Sequence, residues 1–535
     1  MKRGKRTAAL VLALLMITGL LAGCGKKEET LTLRVCVSDA PVTLDPAQIT
    51  SDGEKILVNH LYENLMKNVN DASGGTKAVA GQARSYEVSE NQDGTETYTF
   101  TLRDNIYWSD GQKVTAHDFV YAWQRLADPA SASPHAAVLS MVAGYREARA
   151  QNDLSLLRIS AQSDTRLEVT LSWRCPYFIS SICTSPYTVP VRQGDVAVAS
   201  VTNGAYTVSD RGEEQLTARA ADRYYDAKKL GPQELQFVFA PDSASAMQLY
   251  QNGSVDFVWP LPDSEMASLA RDSYWKADSY AQVYTVLFNQ MSMSVQSEQL
   301  RRAMLLAVDR PVVAALAGVG TAAADGLVPS GVRDSSNGSD YRTSCGALLD
   351  NDPQNYKENC ERARQLLQAG GINDPGAVAL DYLYLRGDAN RQVAELLQKT
   401  WKEELGLRVK LVPMDRAAYE QALASGEFIL AGVSLTAQWD DPTSLLTRWT
   451  TGDAGNVGFY SDSAYDMLMR VTNASSKADA RSAYLKDAEG LLLQKGQTIP
   501  LYFTTTAAKL RENLDGVFHD GLGNYYFTGV NRISK

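Results

Sequence analysis

Residues 107–129 read YWSDGQKVTAHDFVYAWQRLADP, and two kinds of local order follow one another in that stretch. Tyr107 and Trp108 end an aromatic strand that closes on the turn Ser109-Asp110-Gly111. Thr115 then caps a helix, with Asp118 three residues on as a shorter version of the acid that completes a capping box. The helix runs through Phe119, Val120, Trp123 and Leu126 and stops before Pro129. Working outward, residues 84–110 read as antiparallel strands around Asp93-Gly94. Residues 54–66 set Ile56, Leu57, His60, Leu61, Asn64 and Leu65 on neighbouring helical positions. Leu31 to Val37 alternates like a strand, and Pro41 and Pro46 bracket an extended loop. Downstream come a strand-like 165–172, a second mixed region over 202–290 and a helix-rich stretch from about Gln299. There, 358–369 and 389–405 are amphipathic and 407–412 alternates. The class is mixed α/β. No repeat or low-complexity linker divides these parts, so the domains are predicted to be discontinuous and joined by tight crossovers.

A chain of 535 residues exceeds one compact core. With 44% hydrophobic and 21% charged residues it is neither disordered nor a bundle of membrane spans. The formal charge is −10. Such an acidic body repels phosphate backbones, so nucleic acid is excluded as a partner. The four histidines, His60, His117, His135 and His519, are scattered, which argues against a metal site built on them.

The first six residues carry four positive charges, and residues 7–23 carry none. This is the order of a secretory signal, and the apolar run is short for a membrane span. It ends in Leu21-Ala22-Gly23-Cys24, which resembles the lipobox of bacterial lipoproteins. The resemblance implies cleavage of 1–23 and lipidation of Cys24, whose thiol accepts the lipid. Two or three acyl chains anchor stably where one would be marginal. Residues 24–30 would be the lipidated Cys and its tether, of which Gly25 to Thr30 would span at most about 20 Å, holding the body close to the outer face of the membrane. Outside the cell disulfides persist, so Cys175 with Cys183, or Cys345 with Cys360, could each close a short loop. Spacing does not fix the pairing, and Cys36 reads as a buried thiol.

Seven ordered blocks carry a wider resemblance. The strongest is Trp108-Ser109-Asp110-Gly111 continuing through Val114 to Pro129. The others include Leu44-Asp45-Pro46, Leu61-Tyr62-Glu63-Asn64-Leu65, Thr99 to Arg103, Thr202-Asn203-Gly204-Ala205-Tyr206, Arg301 to Arg310 and Asp441-Pro442-Thr443-Ser444-Leu445-Leu446. From Leu21 to about Val530 the chain resembles the extracytoplasmic solute-binding proteins of the peptide/nickel class of ABC importers, above all the oligopeptide-binding ones. The resemblance implies a two-lobed clamp of the periplasmic-binding-protein kind. Its first lobe would comprise 31–66, 196–283 and 498–535, with an extra domain inserted over 67–195. The second lobe would be 284–497, with hinges near 284–290 and 495–500. It also implies capture of peptides between the lobes and delivery to ABC permease subunits, with a peptide-signal receptor or a binder of a non-peptide small solute as the alternative. The protein would act as a monomer, with the lipid anchor as its only membrane contact. Neither cofactor nor metal is implied.

Ligand contacts are expected from the loop Val42-Thr43-Leu44 and from Asn203, Gly204, Ala205 and Tyr206. Trp439 would offer flat contact area, and Arg416 stands where relatives often have an aromatic residue. Peptide-binding relatives commonly have an Asp four residues before the Pro of the Asp-Pro pair, where it pairs with the peptide's α-ammonium. Here that position is Gln438. Two readings stay open: Asp440 takes over the pairing, or the protein prefers ligands without a free α-amine. No nucleophile elbow, HExxH or phosphate loop occurs, so no enzyme is indicated. Gly318-Val319-Gly320-Thr321-Ala322-Ala323 fits GxGxxA but follows a helix-like run, so it reads as a helix-ending loop. The adjacent Asp440 and Asp441 are not read as an acid/base pair, because neighbours in sequence rarely face one substrate.

Overall fold

Strand β1 (Thr32–Cys36) lies inside an eleven-stranded sheet that organises the molecule. The computed structural model describes residues 30–533 apart from 38–39, 71–75, 195, 197–198, 263–264, 266–274, 319 and 454. Cys24 and the signal segment therefore lie outside the described residues. The other strands of the sheet are β2 (Tyr206–Arg211), β3 (Gln215–Ala220), β4 (Glu234–Val238), β5 (Phe257–Val258) and β6 (Trp275–Phe288). They continue with β7 (Ala322–Ala323), β8 (Leu380–Leu385), β9 (Val409–Met414), β10 (Leu430–Thr436) and β11 (Thr498–Leu510). The order is β9-β8-β10-β6-β11-β5-β1-β4-β3-β2, with β7 paired to β11. β1 pairs in parallel with β4 and β5, and Leu33, Val35 and Cys36 are fully buried, as parallel strands covered on both faces require.

The two long strands explain how one sheet serves two lobes. Antiparallel β6 and β11 run side by side, with a register shift between Ser279 and Val283. At one end β11 pairs with β5, and at the other β6 pairs with β10. Side chains from 33–259 and 508–530 share one apolar core, and those from 281–503 build two others. The result is a two-lobed α/β protein.

Helix α1 (Asp52–Leu61) opens with a full capping box between Ser51 and Glu54. It stops earlier than the periodicity over 54–66 predicts. Asn64 leaves the helix so that its amide can donate to the carbonyls of Ile182 and Ser185, at 3.0 and 2.8 Å. His60 is buried, donates from Nδ1 to the Ile56 carbonyl and accepts from the Phe527 amide at Nε2. Burial lowers its pKa to about 4, which keeps the ring neutral. Helix α2 (Ala116–Ala127) has the Thr115/Asp118 capping box that the sequence predicts. It packs beside a four-stranded antiparallel sheet of 83–90, 96–102, 166–170 and 159–163. Arg125 of α2 forks onto Asp45, which ties the 116–129 block to the Leu44-Asp45-Pro46 block. These matching blocks are scaffold, and side chains between 83 and 191 share one continuous core with strands β1 to β5.

Helices α3 (Asp388–Leu405), α4 (Arg416–Ser425) and α5 (Ala478–Gln494) flank the second half of the sheet. The helix Arg310–Ala317 ends at Gly318 with φ +138°, so the GxGxxA string is a helix terminus. The disulfide expectation is corrected: Cys175, Cys183, Cys345 and Cys360 are all buried thiols. Cys175 contacts the Met141 sulfur at 3.4 Å, while Cys345 and Cys360 belong to different cores of the second lobe.

Candidate functional site

Where the two halves of the sheet face each other, a cavity of about 750 Å³ opens. One wall holds Asp52 and Lys55 of α1 with His135 and Tyr187. The other holds β10 from Gly432 onward, Arg416, Tyr419 and Glu420 of α4, and Arg448; Tyr280 and Gln282 of β6 lie between. The walls come from segments far apart in sequence, as a clamp requires.

The backbone of β10 is the most informative part of the lining. β10 pairs with β6 over all seven residues, but with β8 only from Leu430 to Gly432. Successive residues of a strand turn their amide and carbonyl groups to opposite edges. The amide of Asn289 donates to Ile429 and that of Ala437 to Ala281, so odd-numbered residues face β6. Even-numbered residues therefore face the other edge. In agreement, the Gly432 carbonyl accepts from the Tyr419 hydroxyl at 2.7 Å and the Thr436 carbonyl from Arg448 at 2.9 Å. Between them the amide and carbonyl of Ser434 face the cavity beyond the end of the β8 pairing. This is an open strand edge inside a cleft. Gly432 is required here, because the hydroxyls of Tyr382 and Tyr284 occupy the space that a Cβ would fill.

Charge in the cavity is mostly paired. Lys55 forms an ion pair with Asp52, whose other oxygen accepts from the Tyr280 hydroxyl at 3.0 Å. Burial opposes the charge on Lys55, but Asp52 outweighs it and holds the ammonium charged. Arg416 pairs with Glu420 at 3.4 Å on the exposed face of α4. His135 stacks on Tyr187 with ring centroids 3.7 Å apart, and burial pushes its pKa down. Arg448 donates to the carbonyls of Ser444 and Thr436, and burial lowers its pKa.

The residues expected at the site divide. Gln438 and Arg416 line the cavity. Asp440 does not: it accepts from the backbone amide and Nε of Arg333 at 2.8 and 2.9 Å. Burial raises its pKa to about 6 despite that partner. Trp439 lies outside the lining too, stacked on Tyr177 at 5.8 Å with its indole donating to Thr443. The loop 42–44 also lies outside this lining. Val42 is 93% exposed, the amides of Val42 and Thr43 donate to Glu54, and Leu44 is buried. Asn203 spends its amide on the backbone of Glu63, and Gly204 packs so closely on Leu61 that a Cβ would collide with it. Tyr206 is a core residue, fully buried and bonded to the Pro232 carbonyl. Ala205 borders a different cavity of about 660 Å³ beside Glu63, Lys67 and Tyr225.

Sequence reasoning missed Asp52, Lys55, Ser434 and Arg448. The first two look like ordinary first-turn charges of a capped helix. The one-sided pairing of β10 depends on where β8, some fifty residues upstream, stops.

Comparison with known proteins agrees with this architecture. The model of the bacterial extracellular solute-binding proteins, family 5, middle region, matches residues 77–456. The Escherichia coli K12 protein named "Probable deoxycholate-binding periplasmic protein YgiS" is 28% identical, over 89% of this chain and 88% of its own. The Bacillus subtilis oligopeptide-binding protein OppA is 25% identical over 98% and 99%. A solved structure of the Escherichia coli murein tripeptide binding protein MppA superposes with a TM-score of 0.79 at 24% identity, covering 95% and 99%. The chain belongs to the bacterial extracellular solute-binding proteins of family 5 and is akin to the oligopeptide-binding members of the peptide/nickel importer class.

Proposed function

We propose that this protein captures oligopeptides in the cleft between its lobes and hands them to the permease of an ABC importer. Members of the family bind solutes and do not transform them. The observation that carries the peptide reading is the open edge of β10 at Ser434. An extended peptide adds to such an edge through backbone hydrogen bonds that do not depend on its side chains. Side chains of varied peptides would then occupy the remaining volume through water. The hinge would lie in the long strand pair near 284–290 and 495–500, with lobe and insert boundaries as predicted. Binding shifts the open–closed balance only by its difference in affinity for the two states. Native mass spectrometry of the protein with its co-purified ligand should therefore show peptides. Small-angle scattering should show a smaller radius of gyration on saturation. An unchanged radius, from an apo protein shown to be open, would count against the clamp.

The same reading places the protein outside the cytoplasmic membrane as a monomer, anchored through lipid on Cys24. The described residues contain no helix long and apolar enough to cross a membrane. A Cys24→Ala variant is expected to leave the membrane fraction or to retain its signal segment. Processing and membrane attachment like the parent's would defeat the lipoprotein reading. A second reading, capture of a non-peptide small solute, is favoured by the similarity to the protein named for deoxycholate. Ligand identification by mass separates the two.

A further inference from the structure

We propose that the cleft receives a carboxylate of its solute at Arg448, and that the end of the solute beside Gln438 carries no ammonium group. The proposal rests on the reading of this cavity as the solute site and adds the chemistry it selects.

Three basic side chains line the cavity, Lys55, Arg416 and Arg448, against two acids, Asp52 and Glu420. Each acid already has its own cation: Asp52 has Lys55, and Glu420 has Arg416. That leaves Arg448 among the described residues lining the cavity. Its Nε and Nη2 donate to neutral carbonyls, those of Ser444 at 3.2 Å and Thr436 at 2.9 Å. Asp453 acts on it only from beyond ion-pair distance, is itself opposed by burial, and accepts from the Gly455 amide. A guanidinium in this setting is matched by a carboxylate, which can take two parallel N–H donors.

Position supports the same conclusion. Arg448 touches the Thr436 carbonyl, two residues along the open edge from Ser434. A solute extended along that edge would bring one end to Arg448 and Gln438. Gln438 is neutral. The two neighbouring aspartates are held elsewhere, Asp440 by Arg333 and Asp441 by Arg481. An ammonium arriving there would meet a cation with no acid in ion-pair contact to offset it, and burying an unpaired charge is costly.

The test uses the full chain in a non-ionic detergent, with calorimetry and native mass spectrometry. The probes are pentaalanine amide with a free amine, N-acetylated and N-succinylated, and a steroid carboxylate with its matching alcohol. The succinylated peptide should bind at least tenfold tighter than the free amine. Arg448→Met should reduce that advantage to within twofold while the acetylated form binds as before. Gln438→Asp, which adds the missing acid, should reverse the order, so the test does not depend on the Arg448 variant folding. A free amine that binds tightest to the parent, or an advantage that survives Arg448→Met, overturns the proposal and leaves peptide capture standing. If no peptide is retained but the steroid acid is, over its alcohol and through Arg448, the carboxylate site stands and the peptide reading falls. Retention of nothing, or of acid and alcohol alike, overturns the proposal.

Discussion

Arg481→Met is expected to destabilise the protein by about 3–5 kcal/mol, the usual cost of breaking a buried ion pair from one side. Arg481 is fully buried in α5, donates to Asp334 through one terminal nitrogen and reaches Asp441 at 2.8 Å through the other. Its guanidinium also lies 5.8 Å from the Tyr177 ring centroid. Methionine fills much of the volume but strands two carboxylates, of which Asp441 is fully buried. The effect reaches the cleft, because Asp441 also accepts from Thr443 and Ser335 and so seats the segment that carries Gln438. Urea titration measures the loss as a fall in midpoint. A change below about 1 kcal/mol would show that the network does not hold this segment, since loss of a buried charge partner ordinarily costs several.

The pH dependence carries a second signature of the same network. Burial pushes the Asp334 carboxyl upward, but Arg481, Ser336 and Ser482 outweigh it and hold the group below the usual range. A carboxyl lowered on folding adds stability above its unfolded value, near 3.9, and loses it as pH falls through the folded one. The parent should therefore lose this contribution only in strong acid. In Arg481→Met the Asp334 carboxyl loses its cation while burial still pushes it upward, so stability should rise on moderate acidification.

Ser434→Pro is expected to leave the fold intact and to weaken peptide binding about 10- to 100-fold, the effect of losing one or two well-made hydrogen bonds. Proline removes a donor, so a strand tolerates it only where that donor is not used in the ladder. At Ser434 the amide points away from β6; at Val433 it points toward β6, by the alternation read from Asn289 and Ala437. Val433→Pro should therefore lose a ladder hydrogen bond and about 1–3 kcal/mol of stability, while Ser434→Pro should not. Melting curves and calorimetry on the two variants separate fold from recognition. Peptide binding unchanged in Ser434→Pro would remove the strand edge from the recognition mechanism.

Much of the local architecture was legible because its causes are local. The Thr115/Asp118 box, the strand Thr32–Cys36 and the helix Asp388–Leu405 follow from capping, alternation and 3.6-residue spacing, which act over a few neighbours. The expected loops at 42–44 and 203–206 lie outside the lining of the central cavity for a reason no local pattern shows. Their polar groups are taken by Glu54 and Glu63, whose positions are fixed by α1 and its end. Cys345 and Cys360 are close in sequence, yet their helices face different cores.

By itself, then, the sequence determined the class, the two-lobed family architecture and the absence of an acid at position 438. Each depends on residue types, their periods and their order along the chain. Only the tertiary structure decided which charges remain available for a solute. Whether Asp440 faces the cleft depends on Arg333, and whether Arg448 has an acid depends on where Asp453 and Glu420 settle. Likewise the open edge of the strand 430–436 exists because β8 ends its pairing at Gly432. Electrostatic pairing and strand edges are relations between distant segments, so they come into being only when folding brings those segments together.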